Sequence, residues 1–489
     1  MGDKRPIAKD LETNVSHLKS ELGIGVSFDV IVREFLIGGK KAALFFVDGF
    51  AKDDMSLFIM NNLFRVLREQ VAVKPIDKLI NSHIPYIEVD ELEAIDEAIT
   101  KILSGALVLF IDGEDRAIEI DAREYPARSP EEPDVERVTR GSRDGFVETM
   151  VFNTALIRRR IRDPRLRVEH LEVGRRSATD VALVYLQDVA NPDLVDTIRE
   201  RIEKIDVDGL PMAEKSLEEF ISRTGYSPFP RVRYTERPDV AAVHVLEGHA
   251  VIVVDASPSV MIAPTTAFHH LQHAEEYRQI PLYGTYIRWV RSFAILLSLI
   301  ATPLWLAFAY QSELLPAPLA FIGAEDVGPI PLYLQFFIAE IGLDMIRMAT
   351  IHTPSPLATA LGIIAAFLIG DIAISVGLLV PEVILYLAAA AIGTFATPSM
   401  ELGNTIRIFR LLLLGLAAVF QVAGVVAGIV LLFIWTAATK SFGVPYLWPL
   451  LPFNGQALKA IILRKPVPVS KSRPSVIKPQ DQDRIDNRR

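Results

Sequence analysis

Three charged residues near position 340 have the spacing of one helical face. Glu340, Asp344 and Arg347 occupy positions i, i+4 and i+7 of the segment 331–350, and side chains at this spacing lie on the same side of an α-helix. The opposite side of the segment is apolar. Such a helix either lines a polar path through a membrane or lies flat in the interface between lipid and water. The sequence leaves both interpretations open.

A further carboxylate, Asp371, lies inside a long apolar block. Ionisable residues at membrane depth are costly and therefore indicate function, and rings of carboxylates in an oligomer attract cations. We therefore predict a path for monovalent cations. The alternative for Asp371 is a position near the lipid headgroups. The predicted ion-path residues are Glu340, Asp344, Arg347 and Asp371.

Uncharged runs indicate the helices that must position these residues. Residues 292–310 and 411–439 form runs of 19 and 29 residues without a charge. Residues 354–400 are interrupted only by Asp371 and Glu382. Because a bilayer span needs about 20 apolar residues, we predict a lipid bilayer as partner and four crossings. The predicted crossings are 292–310, 357–379, 381–398 and 409–437.

The preceding residues 1–290 have the composition of a soluble protein. They carry 49 acidic and 37 basic residues, a net charge of −12, whereas residues 291–489 carry 11 and 14, a net charge of +3. The acidic balance argues against a nucleic-acid partner. Basic residues lie just before the first predicted span and after the last, which predicts that both termini are cytoplasmic.

The soluble region contains two similar stretches. A strand, a polar turn with Asp and a helix occur at 44–68 and again at 183–205, and a strand with a turn Asp occurs at 105–112 and again at 248–255. The offsets are 139 and 143 residues. Preserved order and spacing favour a duplication over two independent units that merely look alike. The predicted fold class is an α/β soluble N-terminal region of two similar subdomains followed by an all-α transmembrane domain.

Composition then divides the chain. Prolines amid dense charge predict an extended or hinged linker, and prolines among polar residues predict a disordered tail. The predicted order is an N-terminal helical segment at 1–25, α/β subdomain 1 at 26–122, the linker at 123–143, α/β subdomain 2 at 144–290, the transmembrane domain at 291–440, an interfacial segment at 441–464 and a basic tail at 465–489.

A proline-stiffened stretch in subdomain 2 is a second candidate site. Pro228, Pro230 and Pro238 fix φ and prevent a helix, and charged residues lie beside them. A rigid charged loop loses little entropy on binding, which favours a docking surface between subunits. The alternative is a buried ion pair that braces the second copy. The predicted docking residues are Glu236, Arg237, Pro238 and Asp239.

No motif of an enzyme, a cofactor site or a metal site occurs in the sequence. The chain has no cysteine, which excludes disulfides, thiol catalysis and cysteine metal sites. His269, His270 and His273 lack an acidic third ligand at a standard spacing, so a polar helix face is the better interpretation. We therefore predict a protein without enzymatic activity, cofactor or metal.

Several short motifs resemble the germinant receptor A-subunit family of spore-forming bacteria. They include Gly145-Phe-Val-Glu148, Pro228-Phe-Pro230, Thr235–Asp239 and Ser441-Phe-Gly-Val-Pro-Tyr446, and the likeness covers about 30–455. The resemblance implies a multi-pass protein of the spore inner membrane that acts in germination. It further implies a homo-oligomeric ion channel or ion-release subunit, auxiliary to nutrient receptors, with a small membrane protein and other germination membrane proteins as partners. The alternative is a non-conducting scaffold or signalling subunit.

Overall fold

The computed structural model describes residues 5–51, 53–124, 136, 138–222, 225–315, 318, 327–351, 370 and 372–484. The chain forms two compact units. The first unit comprises Met1–Gly225, Arg231–Pro264 and Val467–Arg489, and the second comprises Tyr226–Pro230 and Thr265–Pro466.

The first unit contains two five-stranded antiparallel sheets with the same topology. The strand orders are β1-β2-β4-β5-β3 and β6-β7-β9-β10-β8. The strands are β1 (Val30–Ile37), β2 (Lys40–Val47), β3 (Val89–Leu92), β4 (Leu107–Ile111), β5 (Ala117–Ile120), β6 (Leu166–Val173), β7 (Thr179–Leu186), β8 (Arg233–Thr235), β9 (Ala250–Val254) and β10 (Val260–Ala263).

Helices cover these sheets. Residues of β4 and β9 are buried along their whole length, which explains why both strands are continuous apolar runs rather than alternating ones. The helices of this unit are α1 (Leu11–Leu22), α2 (Asp53–Phe64), α3 (Arg68–Val71), α4 (Pro75–Ser82), α5 (Ile95–Leu103), α6 (Met150–Arg160), α7 (Pro192–Glu203), α8 (Ala213–Ser222) and α9 (Pro238–Glu247).

Side-chain hydrogen bonds repeat in the two subdomains, as a duplication predicts. Asn14 Oδ1 accepts from the N–H of Ala8 at 3.0 Å, and Asn153 Oδ1 accepts from the N–H of Val147 at 2.8 Å. Both pairs of residues are related by the offset of 139. The turn aspartates behave likewise, because Asp112 accepts from the first N–H of α1 and Asp255 accepts from the first N–H of α6. Helix α1 is therefore the counterpart of α6 and belongs to subdomain 1, not to a separate segment.

A buried ion pair joins the two subdomains. Arg158 on α6 donates from Nε to Asp29 Oδ2 at 2.7 Å and from Nη2 to Asp29 Oδ1 at 2.9 Å. The side chains are 0% and 1% exposed. Most of the predicted linker 123–143 lies outside the described residues. Within it, Glu136 is held in place, because its carboxylate accepts hydrogen bonds from Arg233 and Thr235.

The C-terminal tail differs from its predicted disorder. Residues 467–484 pack on subdomain 2, and the side chain of Ile477 is 3% exposed there. Composition indicated disorder because the segment has few apolar residues, yet one buried isoleucine and several backbone hydrogen bonds are enough to hold it.

Two buried histidines, His244 on α9 and His249 just after it, predict a pH-dependent stability. Desolvation lowers the pKa of His249 from 6.5 to about 4 and lowers the pKa of His244 well below 6.5. Between these values the unfolded chain binds protons that the folded chain does not, so the free energy of unfolding falls as the pH falls from about 6.5 to about 4. For His249 alone the loss is roughly 3 kcal/mol.

Unfolding of the full chain in detergent, measured from pH 7.5 to 4, checks this expectation. The variant His249→Asn should flatten the pH dependence relative to the unaltered chain. An identical pH dependence in the His249→Asn variant would contradict the assignment.

The second unit is helical. Apart from Tyr226–Pro230 it begins at Thr265 rather than at 291. Its first long helix starts at Pro281, eleven residues ahead of the uncharged run, and Glu276 neutralises Arg288 there with a bond of 2.7 Å. Two described helices, Pro281–Tyr310 and Met400–Ala438, are long and apolar enough to cross a bilayer. The elements are α10 (Ala274–Arg278), α11 (Pro281–Tyr310), α12 (Leu332–Ile351), α13 (Pro381–Phe395), α14 (Met400–Ala438), β11 (Lys440–Ser441), β12 (Val444–Pro445) and α15 (Gly455–Ile462).

Helix α14 reverses direction at Gln421, where φ is 51° and ψ is −135°. The rings of Phe409 and Trp435 lie 5.6 Å apart, although 26 residues of straight helix would separate them by about 39 Å. A Cβ added to Gly424 would lie 2.2 Å from the carbonyl oxygen of Leu416, so the two arms are in close backbone contact. The predicted single crossing at 409–437 is therefore a helical hairpin. The predicted crossing at 357–379 lies mostly outside the described residues.

Candidate functional site

The charged face of α12 packs against the first arm of α14. Three side chains of α12 meet three of α14 in antiparallel order, and we call these six residues the charged ladder. Its pairs are Glu340 with Arg410, Asp344 with Arg407, and Arg347 with Asn404. The ladder forms because the spacing of 4 and 3 residues on α12 is met by steps of three residues on α14, and both place side chains on one helical face.

The pair of Glu340 and Arg410 is the buried end of the ladder. Arg410 donates from Nε and Nη2 to the two carboxylate oxygens of Glu340 at 2.6 and 3.0 Å. The side chains are 2% and 3% exposed. Such a bidentate pair has the geometry that compensates best for the loss of water around two charges.

Two hydroxyl groups complete the coordination of Arg410. Its Nη1 donates to the carbonyl oxygen and Oγ of Ser298, both at 3.0 Å, and to Thr394 Oγ1 at 3.2 Å. The two hydroxyl oxygens are themselves 2.9 Å apart. Residues of α11, α12, α13 and α14 thus converge on one guanidinium, which places a polar centre inside an apolar helical unit.

Gly393 allows this convergence. A Cβ at this position would lie 2.1 Å from the carbonyl oxygen of Ala294 and 2.7 Å from Cβ of Ser298. The backbones of α11 and α13 therefore touch at a point where only glycine fits, as small residues allow in tightly packed membrane helices. The contact brings Ser298 and Thr394 within reach of Arg410.

The other end of the ladder is more open. The side chain of Asp344 is 37% exposed and that of its partner Arg407 is 15% exposed. Arg347 donates from Nη1 to Asn404 Oδ1 at 3.2 Å. The ladder contains two carboxylates and three guanidiniums, so it differs from the row of carboxylates that the sequence predicts.

The structure brings three of the four predicted ion-path residues together. Glu340, Asp344 and Arg347 share the ladder, whereas Asp371 lies outside the described residues. Sequence reasoning missed Arg407 and Arg410 as partners of these residues. Their spacing of three residues, opposite in charge to residues 340 and 344, was the available signal.

The predicted docking residues do not form an outward-facing loop. Arg237 is fully buried and donates to Asp239 at 3.1 and 3.0 Å. Pro238 is buried as well, and the carbonyl oxygen of Glu236 accepts from the N–H of Phe146 at 2.8 Å. This geometry agrees with the alternative interpretation, an ion pair that braces the second subdomain.

His269, His270 and His273 form hydrogen bonds with backbone N–H and hydroxyl groups. Thr266 donates its N–H to His269 Nδ1 at 3.0 Å, His270 lies 3.2 Å from Ser399 Oγ, and His273 caps α10 by accepting from Glu275. Among the described residues there is no group of three His, Asp or Glu side chains that would hold a metal ion.

An α/β unit of two like subdomains, joined to an apolar helical unit with a buried charged centre, defines a class of membrane-associated protein. The chain matches the family described as Bacillus/Clostridium GerA spore germination protein over residues 16–476. The chain belongs to this family, and the resemblance predicted from its motifs is confirmed.

The sequences of known relatives are similar to this chain over nearly its whole length. The chain is 48% identical to stage V sporulation protein AF of Bacillus subtilis over 480 residues, which cover 98% of this chain and 97% of that protein. It is 30% identical to spore germination protein KA of Bacillus subtilis, with 98% and 88% covered. It is also 30% identical to the uncharacterized membrane protein YfkQ of the same organism, with 94% and 90% covered.

One solved structure is similar to part of the chain. It is the N-terminal domain of the A subunit of the Bacillus megaterium spore germinant receptor GerK3, with 28% identity and a TM-score of 0.40. The match covers 53% of this chain and 97% of that one.

Proposed function

We propose that the chain is a subunit of an oligomeric ion channel or ion-release assembly in the membrane, acting during spore germination. The observation that carries this proposal is the charged ladder inside the helical unit. Ionisable groups within apolar helices are costly and mark ion pathways more often than they add stability. Membership of the spore germination family supplies the process in which the ions move.

The position of Asp344 makes it the residue of the ladder that ions would meet. It is the more exposed of the two carboxylates; Arg407 lies opposite it on α14, and Arg347 follows it on α12. Next to the ladder, α12 presents a separate row of exposed apolar side chains. These residues are Ile341, Met345 and Met348. An exposed apolar row beside a polar one suits the contact of one subunit with another around a central path.

Neutralising Asp344 tests the proposal. Asp344→Asn leaves the buried Glu340–Arg410 pair intact, so the protein should fold, and it removes the exposed negative charge. We expect the efflux of potassium or sodium ions from vesicles that contain the purified protein to fall severalfold. The matched control is Glu313→Gln, which neutralises an exposed carboxylate of the same unit outside the ladder. Equal efflux in both variants would remove the ladder from the mechanism.

A second candidate function is a non-conducting scaffold or signalling subunit. The complete coordination of Arg410 by Glu340, Ser298 and Thr394 favours it, because a fully bonded centre can serve to fix helix register alone. This alternative predicts assembly with other germination membrane proteins and no ion efflux from vesicles, with or without a co-expressed small membrane partner.

The names of the relatives support a place in the spore. We propose a location in the spore inner membrane, with both termini on the core side, where the chain acts beside nutrient receptors rather than in place of them. The identities of 48% to a sporulation protein and 30% to a germination protein support a role in the spore. We also propose that it has no enzymatic activity.

A further inference from the structure

The two α/β subdomains differ at one equivalent site, and that difference concerns the C-terminal segment. In subdomain 1 the chain continues directly from β5 into a site beside the turn that follows β2. There the N–H of Glu124 donates to the carbonyl oxygen of Phe50 at 2.7 Å, and Arg123 pairs with Ala51 as an isolated β-bridge. The turn after β2 thus binds an extended stretch of chain, and in subdomain 1 this stretch is residues 123 and 124, which follow β5.

Subdomain 2 has the same acceptor but not the same occupant. The offset of 139 relates Phe50 to Val189, and the offset of 143 relates Glu124 to Ala267. The chain leaves the first unit at Pro264. The N–H of Ala267 then donates to the carbonyl oxygen of Tyr446 at 2.9 Å instead. The carbonyl oxygen of Val189 is therefore not bonded to Ala267, the residue that the duplication predicts.

The C-terminal segment fills this acceptor. The N–H of Gln480 donates to the carbonyl oxygen of Val189 at 2.9 Å, which is the counterpart of the bond from Glu124 to Phe50. The side-chain Nε2 of Gln480 donates to the carbonyl oxygens of Gln187 and Ala190 at 2.8 and 2.6 Å. Gln480 therefore donates hydrogen bonds to three carbonyl oxygens of the turn after β7.

Two further contacts fix the segment against the end of α9. Ile477 is buried, and its Cδ1 would lie 3.3 Å from a Cβ built on Gly248. The residue Gly248 has φ of 103°, as does its counterpart Gly105. Arg473 donates from Nε to the carbonyl oxygen of Leu246 at 2.9 Å. Glycine here leaves room for an incoming apolar side chain.

The segment has a defined shape of its own. Arg473 Nη1 donates to the carbonyl oxygens of Asp481 and Asp483 at 3.0 and 2.6 Å, and Ser472 forms a β-bridge with Asp483. These bonds close a loop with Ile477 near its tip. A loop that is ordered in advance loses less entropy when it binds, which favours specific docking.

We propose that the surface formed by residues 187–190 and 246–248 is a peptide-binding site of subdomain 2, occupied in cis by the C-terminal segment. The ligand class is a short loop with arginine, isoleucine and glutamine placed as in residues 473, 477 and 480. Occupation joins the end of the helical unit's chain to the turn after β7, so release of the loop is a defined, reversible state of the protein.

Single-cysteine labelling of the full chain tests docking directly, because the native sequence contains no cysteine. Ile477→Cys should react with a maleimide at least about tenfold more slowly than the matched Val469→Cys, since an occlusion of about 1.4 kcal/mol corresponds to a factor of ten. Val469 is 61% exposed. Adding Gln480→Ala should accelerate labelling at position 477 and leave position 469 unchanged. Equal rates at 477 and 469 in the folded chain would overturn the proposal.

A second experiment tests binding as such. In the full chain that carries Ile477→Cys, an added synthetic peptide of residues 467–484 should accelerate labelling saturably, because it competes with the tethered segment. Gln480→Ala or Ile477→Asp in the peptide should raise the peptide concentration needed at least about tenfold. Val469→Ala in the peptide is the control. Acceleration that is the same with both test peptides as with the unaltered peptide would overturn the assignment of the site. Neither experiment depends on ion efflux, so their outcome is separate from that of the proposed function.

Discussion

Replacement of Arg410 with methionine should lower the free energy of unfolding by about 3–5 kcal/mol, because it leaves a buried carboxylate without its cation. Glu340 is 2% exposed and loses two charge-assisted hydrogen bonds of 2.6 and 3.0 Å. The hydroxyl groups of Ser298 and Thr394 lose a shared donor but retain each other at 2.9 Å. Denaturant unfolding in detergent micelles, followed by tryptophan fluorescence, measures the change.

The double variant separates charge from packing. Glu340→Met combined with Arg410→Met should recover most of the loss, because removal of both buried charges is often close to neutral. Arg347→Gln is the matched control at the open end of the ladder and should cost less than about 1 kcal/mol. A cost for Arg410→Met no larger than that of the control would show that the Glu340 carboxylate is not desolvated as the structure indicates.

Neutralising Asp29 should be comparably destabilising in the α/β unit. Asp29→Asn keeps the shape of the side chain but leaves the fully buried guanidinium of Arg158 without an anion, and breaking such a pair costs about 3–5 kcal/mol. The lost contacts measure 2.7 and 2.9 Å. Thermal unfolding of the full chain, resolved for the α/β unit by circular dichroism of its strands, measures the effect.

An exposed pair in subdomain 2 provides the comparison. Arg165 and Asp163 form a salt bridge with side chains 53% and 30% exposed. Asp163→Asn should therefore cost less than about 1 kcal/mol. If Asp29→Asn were as mild as Asp163→Asn, the pair would not be what holds the subdomains together.

Sequence reasoning succeeded where the signal is local. The apolar runs ending at Asp112 and Asp255 marked two strands in equivalent positions, and the structure places both aspartates at the start of a helix. The division between a charged soluble region and an apolar helical region follows from composition, because charged residues are frequent up to about residue 290 and rare in the apolar runs that follow. Their boundary was harder to place, since the ion pair of Glu276 with Arg288 neutralises charges ahead of the apolar run.

Features that depend on distant partners could not be predicted. In the uncharged run 411–439 the reversal is marked only by the single polar residue Gln421 between two apolar arms, and no proline interrupts the run. The pairing of Glu340 with Arg410 spans 70 residues. Arg237 was predicted on a surface loop because prolines surround it, yet proline fixes only the local backbone and says nothing about burial.

Docking of the C-terminal loop has a geometric consequence for any lipid sheet that surrounds the helices. A bilayer cannot pass between segments that are hydrogen bonded to each other, and Gln480 is bonded to Val189 of the α/β unit. In the proposed membrane location, the chain that departs after Pro264 would therefore come back to the leaflet from which it left. The number of its traverses would then be even, and the reversal at Gln421 would contribute two of them or none.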